Sequence, residues 1–349
     1  MINIGIIGNG MIAREHILSF KKVPGTNIKW IAGRDFEKLK KSQESYSIQN
    51  ITTNYKEILD DNSVQAVVIT TPPAMHEQMF LDALKAQKHI LLEKPAAINP
   101  SSIEKMLKES AKYPELVICD CSCRHARLQP KFKYIKDIID SGKLGEIYYI
   151  HHNSVAQHSR PGIEYHPTAK WFIDKKIAGG GPVIDWGVYD LSFHLGILSD
   201  KPELLNLKAF TKCGLDNVDP GSKIFNVEEH AVIFMEFTGG LKYYWERASH
   251  ANMNVPNETR IYGTKGGLKL SYCSWDSAEA EFFDVANEGK GKARKEVFSI
   301  DMSNHTSDSD ELAIHFMDCI NNRKTPAMPL KLAAKHLNIL FKVYETCEV

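Results

Sequence analysis

The sequence predicts two domains of different class: an α/β domain on a doubly wound parallel sheet, then an α+β domain with a large, mostly antiparallel open sheet. Three observations carry that prediction. Ile2 to Ile7 is an apolar run of strand length that passes at once into Gly8-Asn9-Gly10-Met11-Ile12-Ala13 and a helical pattern. Short apolar strands then alternate with helices to about residue 122, the mark of a parallel sheet. Beyond Pro202 the helices give way to successive runs of β character. With 349 residues, the chain is too long for one ordinary core. The expected division is 1–122 and 123–349, with a C-terminal helix over 330–346 that packs back on the first domain.

Composition narrows the function classes. Lys and Arg together number 43, as do Asp and Glu, so the formal net charge is zero and a polyanionic partner such as nucleic acid is not expected. No apolar run reaches the roughly 18 residues that suggest a membrane span. The first residues, Met1-Ile2-Asn3-Ile4, have no basic leader pattern and read as a strand. Seven cysteines do not resemble a disulfide framework, so a reducing cytoplasm is the expected compartment.

The first element is G-x-G-x-x-A between a strand and a helix running from about Met11 to Lys22. Gly8 permits the tight turn, Gly10 lets backbone approach a pyrophosphate, and Ala13 allows close helix–strand packing. Asn9, Met11 and Ile12 complete the turn, whose helix offers free N–H groups to phosphates. The second strand, Asn27 to Gly33, ends where an NAD-selective site usually carries an acid. Here Gly33 leaves room and Arg34 can pair with a 2′-phosphate, which sets a mild preference for NADP over NAD. Asp35 caps the next helix or reaches the ribose.

Val64 to Thr70 is a further strand, followed by Thr71-Pro72-Pro73-Ala74-Met75-His76 and a helix through about Gln87. Thr71, Pro72 and His76 are placed at the cofactor. Lys88-His89-Ile90-Leu91-Leu92-Glu93-Lys94-Pro95 is a buried strand that ends in an acid, a lysine and a proline. Ligands of such folds bind outside the carboxyl ends of the strands, where Glu93 and Lys94 stand. A helix begins at Asn99 or Ser101, and Glu115 to Cys121 is the next strand.

Together, Gly8-x-Gly10-x-x-Ala13, Thr71-Pro72-Pro73-x-x-His76 and the Glu93-Lys94-Pro95 strand end resemble the glucose–fructose oxidoreductase, inositol dehydrogenase and rhizopine-catabolism family. The resemblance extends in order and spacing through both domains. It implies an N-terminal Rossmann domain, Lys94 near nicotinamide and substrate, and a cis bond before Pro95.

Cys119, Cys121 and Cys123 alternate along a strand and its exit, a spacing unlike structural zinc, and no metal is expected. Arg124 and His125 follow at the domain crossover, with Arg124 a substrate or structural donor. Pro130 to Ser141 reads as a helix and Gly145 to His151 as a strand. His158, Arg160, Tyr165 and His166 fall in a loop without ligand-set regularity, and Trp171 beyond it joins the substrate candidates. In Gly179-Gly180-Gly181-Pro182-Val183-Ile184-Asp185-Trp186-Gly187-Val188-Tyr189, glycines lead into a helix that sets Asp185 and Tyr189 at i and i+4, on one face. Asp185-Trp186-Gly187-Val188-Tyr189 is similar to the Asp-x-Gly-x-Tyr version of the family's helix. His194 is a weaker substrate candidate, off that face. Strands are expected over 204–211, 226–237, 241–248, 258–262 and 267–271, with Thr238-Gly239-Gly240 a hairpin turn. Residues 287–292 read as a solvated loop, and 308–322 and 330–346 as helices.

The expected function is NAD(P)-dependent oxidation or reduction of a sugar, polyol or related hydroxyl or carbonyl compound. Lys94 would stabilise the substrate oxygen, Tyr189 would move its proton, and Asp185 would hold a hydroxyl or orient Lys94. The two domains would bring these groups together across a cleft. Two other classes stay open: a glycoside hydrolase that uses NAD for transient oxidation, and a ligand sensor without catalysis. The resemblance also implies a homodimer or homotetramer formed through the C-terminal sheet.

Overall fold

A computed structural model describes residues 1–157, 159, 169–214 and 224–347. His158, Arg160, Tyr165 and His166 lie outside the described residues. The chain divides into two compact units: Met1–Arg124 with Thr306–Leu337, and His125–His305 with Asn338–Val349.

In the first unit the elements run β1 (Ile2–Ile7), α1 (Met11–Phe20), β2 (Thr26–Ala32), α2 (Phe36–Tyr46), β3 (Asn50–Thr52), α3 (Lys56–Asp60), β4 (Ala66–Ile69), α4 (His76–Lys85), β5 (His89–Leu92), α5 (Pro100–Ser110) and β6 (Ile118–Asp120). The six strands pair in the order β3-β2-β1-β4-β5-β6, all parallel. Strand order reverses between β1 and β4, so a crevice opens beyond their carboxyl ends. β4 is buried at every residue, as expected of a strand covered on both faces. Asp35 caps α2 by accepting from the Lys38 N–H at 3.0 Å, and Asn99 caps α5 through Ser102 N–H at 2.9 Å.

The second unit holds α6 (Pro130–Asp140), β7 (Ile147–Val155), α7 (Lys175–Ala178), α8 (Pro182–Gly196), β8 (Leu204–Lys212), β9 (His230–Phe237), β10 (Lys242–Ala248), β11 (Val255–Gly263), β12 (Gly266–Leu270), β13 (Glu279–Val285), α9 (Ala286–Gly289) and β14 (Ala293–Ser299). Eight strands pair in the order β14-β13-β12-β11-β7-β10-β9-β8, antiparallel except where β10 meets β7. Period-two patterning explains the two faces. Along β9, Ala231, Ile233, Met235 and Phe237 are buried, whereas Val232, Phe234 and Glu236 face outward. The expected hairpin at Thr238-Gly239-Gly240 joins β9 to β10, with both glycines at positive φ. Sequence reading missed β13 and β14. Their polar alternation, as in Ala293-Arg-Lys-Glu, has too little apolar signal to announce a strand, and part of 287–292 forms α9.

α10 (Asp308–Asn322) and α11 (Leu330–Cys347) complete the chain. Residues 306–337 belong with the first unit rather than with an uninterrupted second domain, because α10 packs there. The Phe316 ring meets Phe20 edge-on at 6.3 Å, and Lys22 pairs with Asp310 at 2.8 Å. The Asp120 N–H donates to Met328 O at 2.9 Å.

Candidate active site

The first unit builds a dinucleotide cradle from main chain. Gly8 sits at φ +123°, and a Cβ there would stand 2.3 Å from Thr70 Oγ1, so only glycine fits between the ends of β1 and β4. A Cβ on Gly10 would meet nothing within 4 Å, which leaves the space before α1 open for close approach. Among the described residues no side chain caps α1, so its first amides are unclaimed, and Asn9 Nδ2 is buried without a partner. Asn9 Oδ1 accepts from Ser42 Oγ at 2.9 Å, which fixes its side chain. Unclaimed helix amides, one orphan donor and a glycine-lined gap are what a bound pyrophosphate needs, so the residues fit the group. Met11 is exposed and Ile12 half-buried at this entrance; Thr71 and Pro72 follow β4 at the same crevice. Arg34 is exposed and, among the described residues, forms no ion pair.

Beyond β5 the Lys94–Pro95 bond is cis, as the resemblance implies. The turn is held from inside. Glu93 Oε1 lies 2.8 Å from His16 Nε2 and accepts from Arg124 Nη1 at 2.7 Å, and Glu93 Oε2 accepts from the Lys94 N–H at 3.1 Å. Burial opposes ionisation of Glu93, but Arg124 and His16 hold its carboxyl well below the usual range. His76 is fully buried, its ring bridging the carbonyls of Thr71 (2.8 Å) and Pro95 (2.9 Å). His76, Glu93 and Arg124, expected at ligands, are buried, and their bonds hold the turn that presents Lys94. The half-buried Lys94 stands at the strand end itself.

The second unit contains a cavity of about 670 Å³ where β7 and β10 end and β11 begins, beside the first turn of α8. Glu228 sets that turn. Its carboxylate accepts from the Gly181 N–H at 2.9 and 3.0 Å, from Val183 N–H at 2.9 Å and from Tyr344 Oη at 2.9 Å. An acid remote in sequence thus caps α8, which has no local side-chain cap. Gly180 and Gly181 are required, since Cβ atoms there would stand 1.8 Å from Tyr344 Oη and 2.0 Å from Glu228 O. Asp185 and Trp186 line the cavity, joined by Arg247, Asn254, Asn257 and Trp275.

Tyr189, one turn beyond Asp185, is 1 % exposed and is not among the lining residues; its ring centroid lies 4.8 Å from that of His125 and 5.5 Å from that of Trp186. α8 is buried on nearly every side, so only its first turn reaches the cavity. His194 is likewise enclosed. Its Nε2 meets Thr259 Oγ1 at 2.9 Å and its Nδ1 meets Tyr243 Oη at 2.8 Å, and burial keeps the ring neutral. It is a core histidine, not a ligand donor. Trp171 stacks on Phe172 at 3.8 Å, and it is Phe172 that lines the cavity.

Sequence reading missed Asp190 and Arg247. Asp190 accepts from Arg247 Nε (3.0 Å) and Nη2 (2.5 Å), from Trp245 Nε1 (2.8 Å) and from Tyr272 Oη (2.5 Å). The signal was present: Tyr243, Trp245 and Arg247 share one face of an alternating strand, so the arginine occupies a core position and needs a buried acid.

Known proteins share these two domains. Residues 2–120 match the oxidoreductase family with an NAD-binding Rossmann fold, and residues 132–269 match the GFO/IDH/MocA C-terminal domain. The chain belongs to the Gfo/Idh/MocA oxidoreductase family. It is 26 % identical over 286 residues to the uncharacterized oxidoreductase YrbE of Bacillus subtilis, covering 82 % of this chain and 78 % of that one. It is 22 % identical to trans-1,2-dihydrobenzene-1,2-diol dehydrogenase of Xenopus tropicalis, covering 93 % and 92 %. A levoglucosan dehydrogenase solved with NADH and levoglucosan shares the fold, with TM-score 0.86, 18 % identity and coverage of 99 % and 96 %. As a family member the protein is an NAD-binding oxidoreductase. Among the described residues, no helix is long and apolar enough to cross a membrane.

Proposed function

We propose that this oxidoreductase acts on a hydroxyl group of a sugar, polyol or related diol held in the cavity of the second unit. The supporting observation is the make-up of that cavity: Asp185, Asn254 and Asn257 as hydrogen-bonding groups beside the Trp186 and Trp275 faces. Polyhydroxylated molecules present such hydroxyl edges and apolar C–H faces. The relatives named for a diol and for levoglucosan point to the same class.

The Gly8–Gly10 turn and the first amides of α1 would hold the dinucleotide, which would supply hydride transfer to or from the substrate's carbinol carbon. Lys94 stabilises the charge that develops on the reacting oxygen. Tyr189 gives its phenolic proton to that oxygen in reduction, becoming phenolate, and in oxidation the phenolate takes the proton from the substrate hydroxyl. Asp185 accepts from a neighbouring substrate hydroxyl and so fixes which carbon reacts. Arg34, exposed at the end of β2, pairs with a 2′-phosphate and favours NADP, since Asp35 is engaged in capping α2. A second copy of the chain covers the outward face of the eight-stranded sheet, where Phe210 and Phe234 are 56 % and 40 % exposed; light scattering that returns a monomer mass would exclude this.

The test is a panel of sugars, inositols and trans-diols with NAD and NADP, read by the absorbance of reduced cofactor. Turnover of at least one compound, with KM raised in Asp185→Asn, is expected. Sugar release without net cofactor change would favour the glycosidase class, and binding without either would favour the sensor. Arg34→Ala is expected to weaken NADP by roughly 1.5–3 kcal/mol and to leave NAD unaffected.

A further inference from the structure

Trp275 is placed against its own hydrophobicity. It lies in the connection between β12 and β13, lines the cavity of the second unit and is 58 % exposed. What holds it there is Lys131, near the start of α6. The Lys131 side chain is fully buried, and its Nζ lies within hydrogen-bonding distance of four main-chain carbonyls of that connection, which share its three N–H donors: Ser271 (3.2 Å), Cys273 (2.5 Å), Asp276 (3.3 Å) and Ser277 (2.8 Å). Four carbonyl dipoles turned inward around one point repel one another unless a cation sits there, so Lys131 plays the part of a bound ion. Ser271 Oγ donates to Asp276 Oδ2 at 2.5 Å, and the Asp276 N–H donates to Cys273 O at 3.2 Å, closing the turn. Such a connection is built, not slack, and its rigidity serves the one large side chain that it leaves in solvent.

The geometry around that side chain is specific. The Trp275 indole is 6.1 Å from Trp186 at 72° and 5.2 Å from His125 at 84°. Two indoles nearly at right angles make an apolar corner, and the Arg247 guanidinium lies over Trp186 at 4.8 Å. Asp185, Ser249, Asn254 and Ser277 line the same cavity with polar groups. A polyhydroxylated ring fits that corner with one flat C–H face, whereas an open-chain polyol has no fixed face to offer.

We infer that Trp275 is a specificity-determining residue, stacking on the apolar face of a ring-shaped polyhydroxylated substrate, and that Lys131 is the positioning residue that holds it in place. This rests on the reading of the cavity as the substrate site.

The experiment uses the full-length enzyme with bound cofactor and three probes: myo-inositol, methyl β-D-glucopyranoside and the open-chain sorbitol. It reads kcat and KM from reduced-cofactor absorbance, and binding from quenching of indole emission. Trp275→Ala is expected to lower the ratio of ring to open-chain kcat/KM by about tenfold, mainly through KM, with Trp275→Phe restoring most of it. Lys131→Met is expected to shift the ratio the same way, whereas Lys133→Met, on the exposed side of α6, leaves it in place. Should Lys131→Met fail to fold, the two Trp275 variants still decide. An unchanged ratio in Trp275→Ala overturns the inference, as does an equal drop in Lys133→Met. If no probe turns over, ring-probe quenching lost in Trp275→Phe supports the inference, and absent quenching overturns it. Asp185→Asn separates the two readings. If it leaves ring-probe affinity intact, the cavity is not the substrate site; if it weakens binding and Trp275→Ala does not, only the role of Trp275 fails.

Discussion

The two units build their sites from different materials. The first makes its cradle from main chain: a glycine at positive φ, unclaimed helix amides and a cis peptide bond at the end of β5. The second makes its cavity from side chains: Asp185 and Trp186 from α8, Arg247 from β10 and Trp275 from the β12–β13 connection. Main-chain geometry constrains residue type tightly, because only glycine tolerates φ +123° beside Thr70. A side-chain cavity constrains residue type loosely and can be re-lined. The first unit's site therefore admits few residue types, and the second unit's cavity admits many.

The sharpest way to break that contrast is at Lys94, a side chain presented by the main-chain site. Lys94→Met is expected to lower turnover by roughly a thousandfold while dinucleotide affinity holds within about threefold, by steady-state kinetics and cofactor titration. Tyr189→Phe should cost about a hundredfold, and the double variant little more than Lys94→Met alone if both act at one oxygen. Multiplicative losses would assign them independent roles.

Next in size is Gly10→Val. A Cβ at Gly10 meets nothing within 4 Å, so the unliganded fold should survive with its Tm nearly unchanged. Dinucleotide affinity should fall by about a hundredfold because the new methyls occupy the approach to the helix amides. A large loss of Tm, or retained affinity, would mean that the gap at Gly10 is not the phosphate approach.

In the second unit, Glu228→Ala removes the remote cap of α8 and leaves the Gly181 and Val183 amides buried without acceptors. A loss of about 1–3 kcal/mol in denaturant unfolding is expected, with a raised substrate KM as Asp185 loosens. Unchanged stability would show that main chain alone sets this turn.

The smallest effect is a pH dependence in the first unit. Burial raises the Asp120 carboxyl from 3.8 to about 6 in the folded protein. The folded state therefore holds its proton where the unfolded chain has lost it. This term stabilises at low pH and fades as pH rises between about 4 and 6. Asp120→Asn should flatten that part of the Tm–pH profile and gain most above pH 6. An identical profile would show that Asp120 ionises freely.

Helix starts with local caps were legible in the sequence. Asp35 and Asn99 each bond an amide three residues on, so the signal and its partner share one window. The β9–β10 hairpin was legible for the same reason. β13 and β14 were not, because their lysines, arginines and glutamates pair across strands, as Lys295 does with Glu281 at 2.6 Å, rather than along them. Gly8 and Gly10 follow β1, and Lys94 follows β5, as the strand pattern of the sequence placed them. The inward roles of His76, Glu93, Arg124 and His194 were not legible, since residue type does not reveal which way a buried polar group turns.

The sequence by itself determined the alternation of strand and helix, the glycine turn and the lysine at the end of β5. Each is specified within a few consecutive residues by backbone sterics and apolar period. Only the tertiary structure decided that Glu228 caps α8, that Asp190 neutralises Arg247, and that Lys131 gathers four carbonyls beneath Trp275. Those partners stand 47, 57 and 142 residues apart, and a buried charge finds the groups that satisfy it by proximity in space.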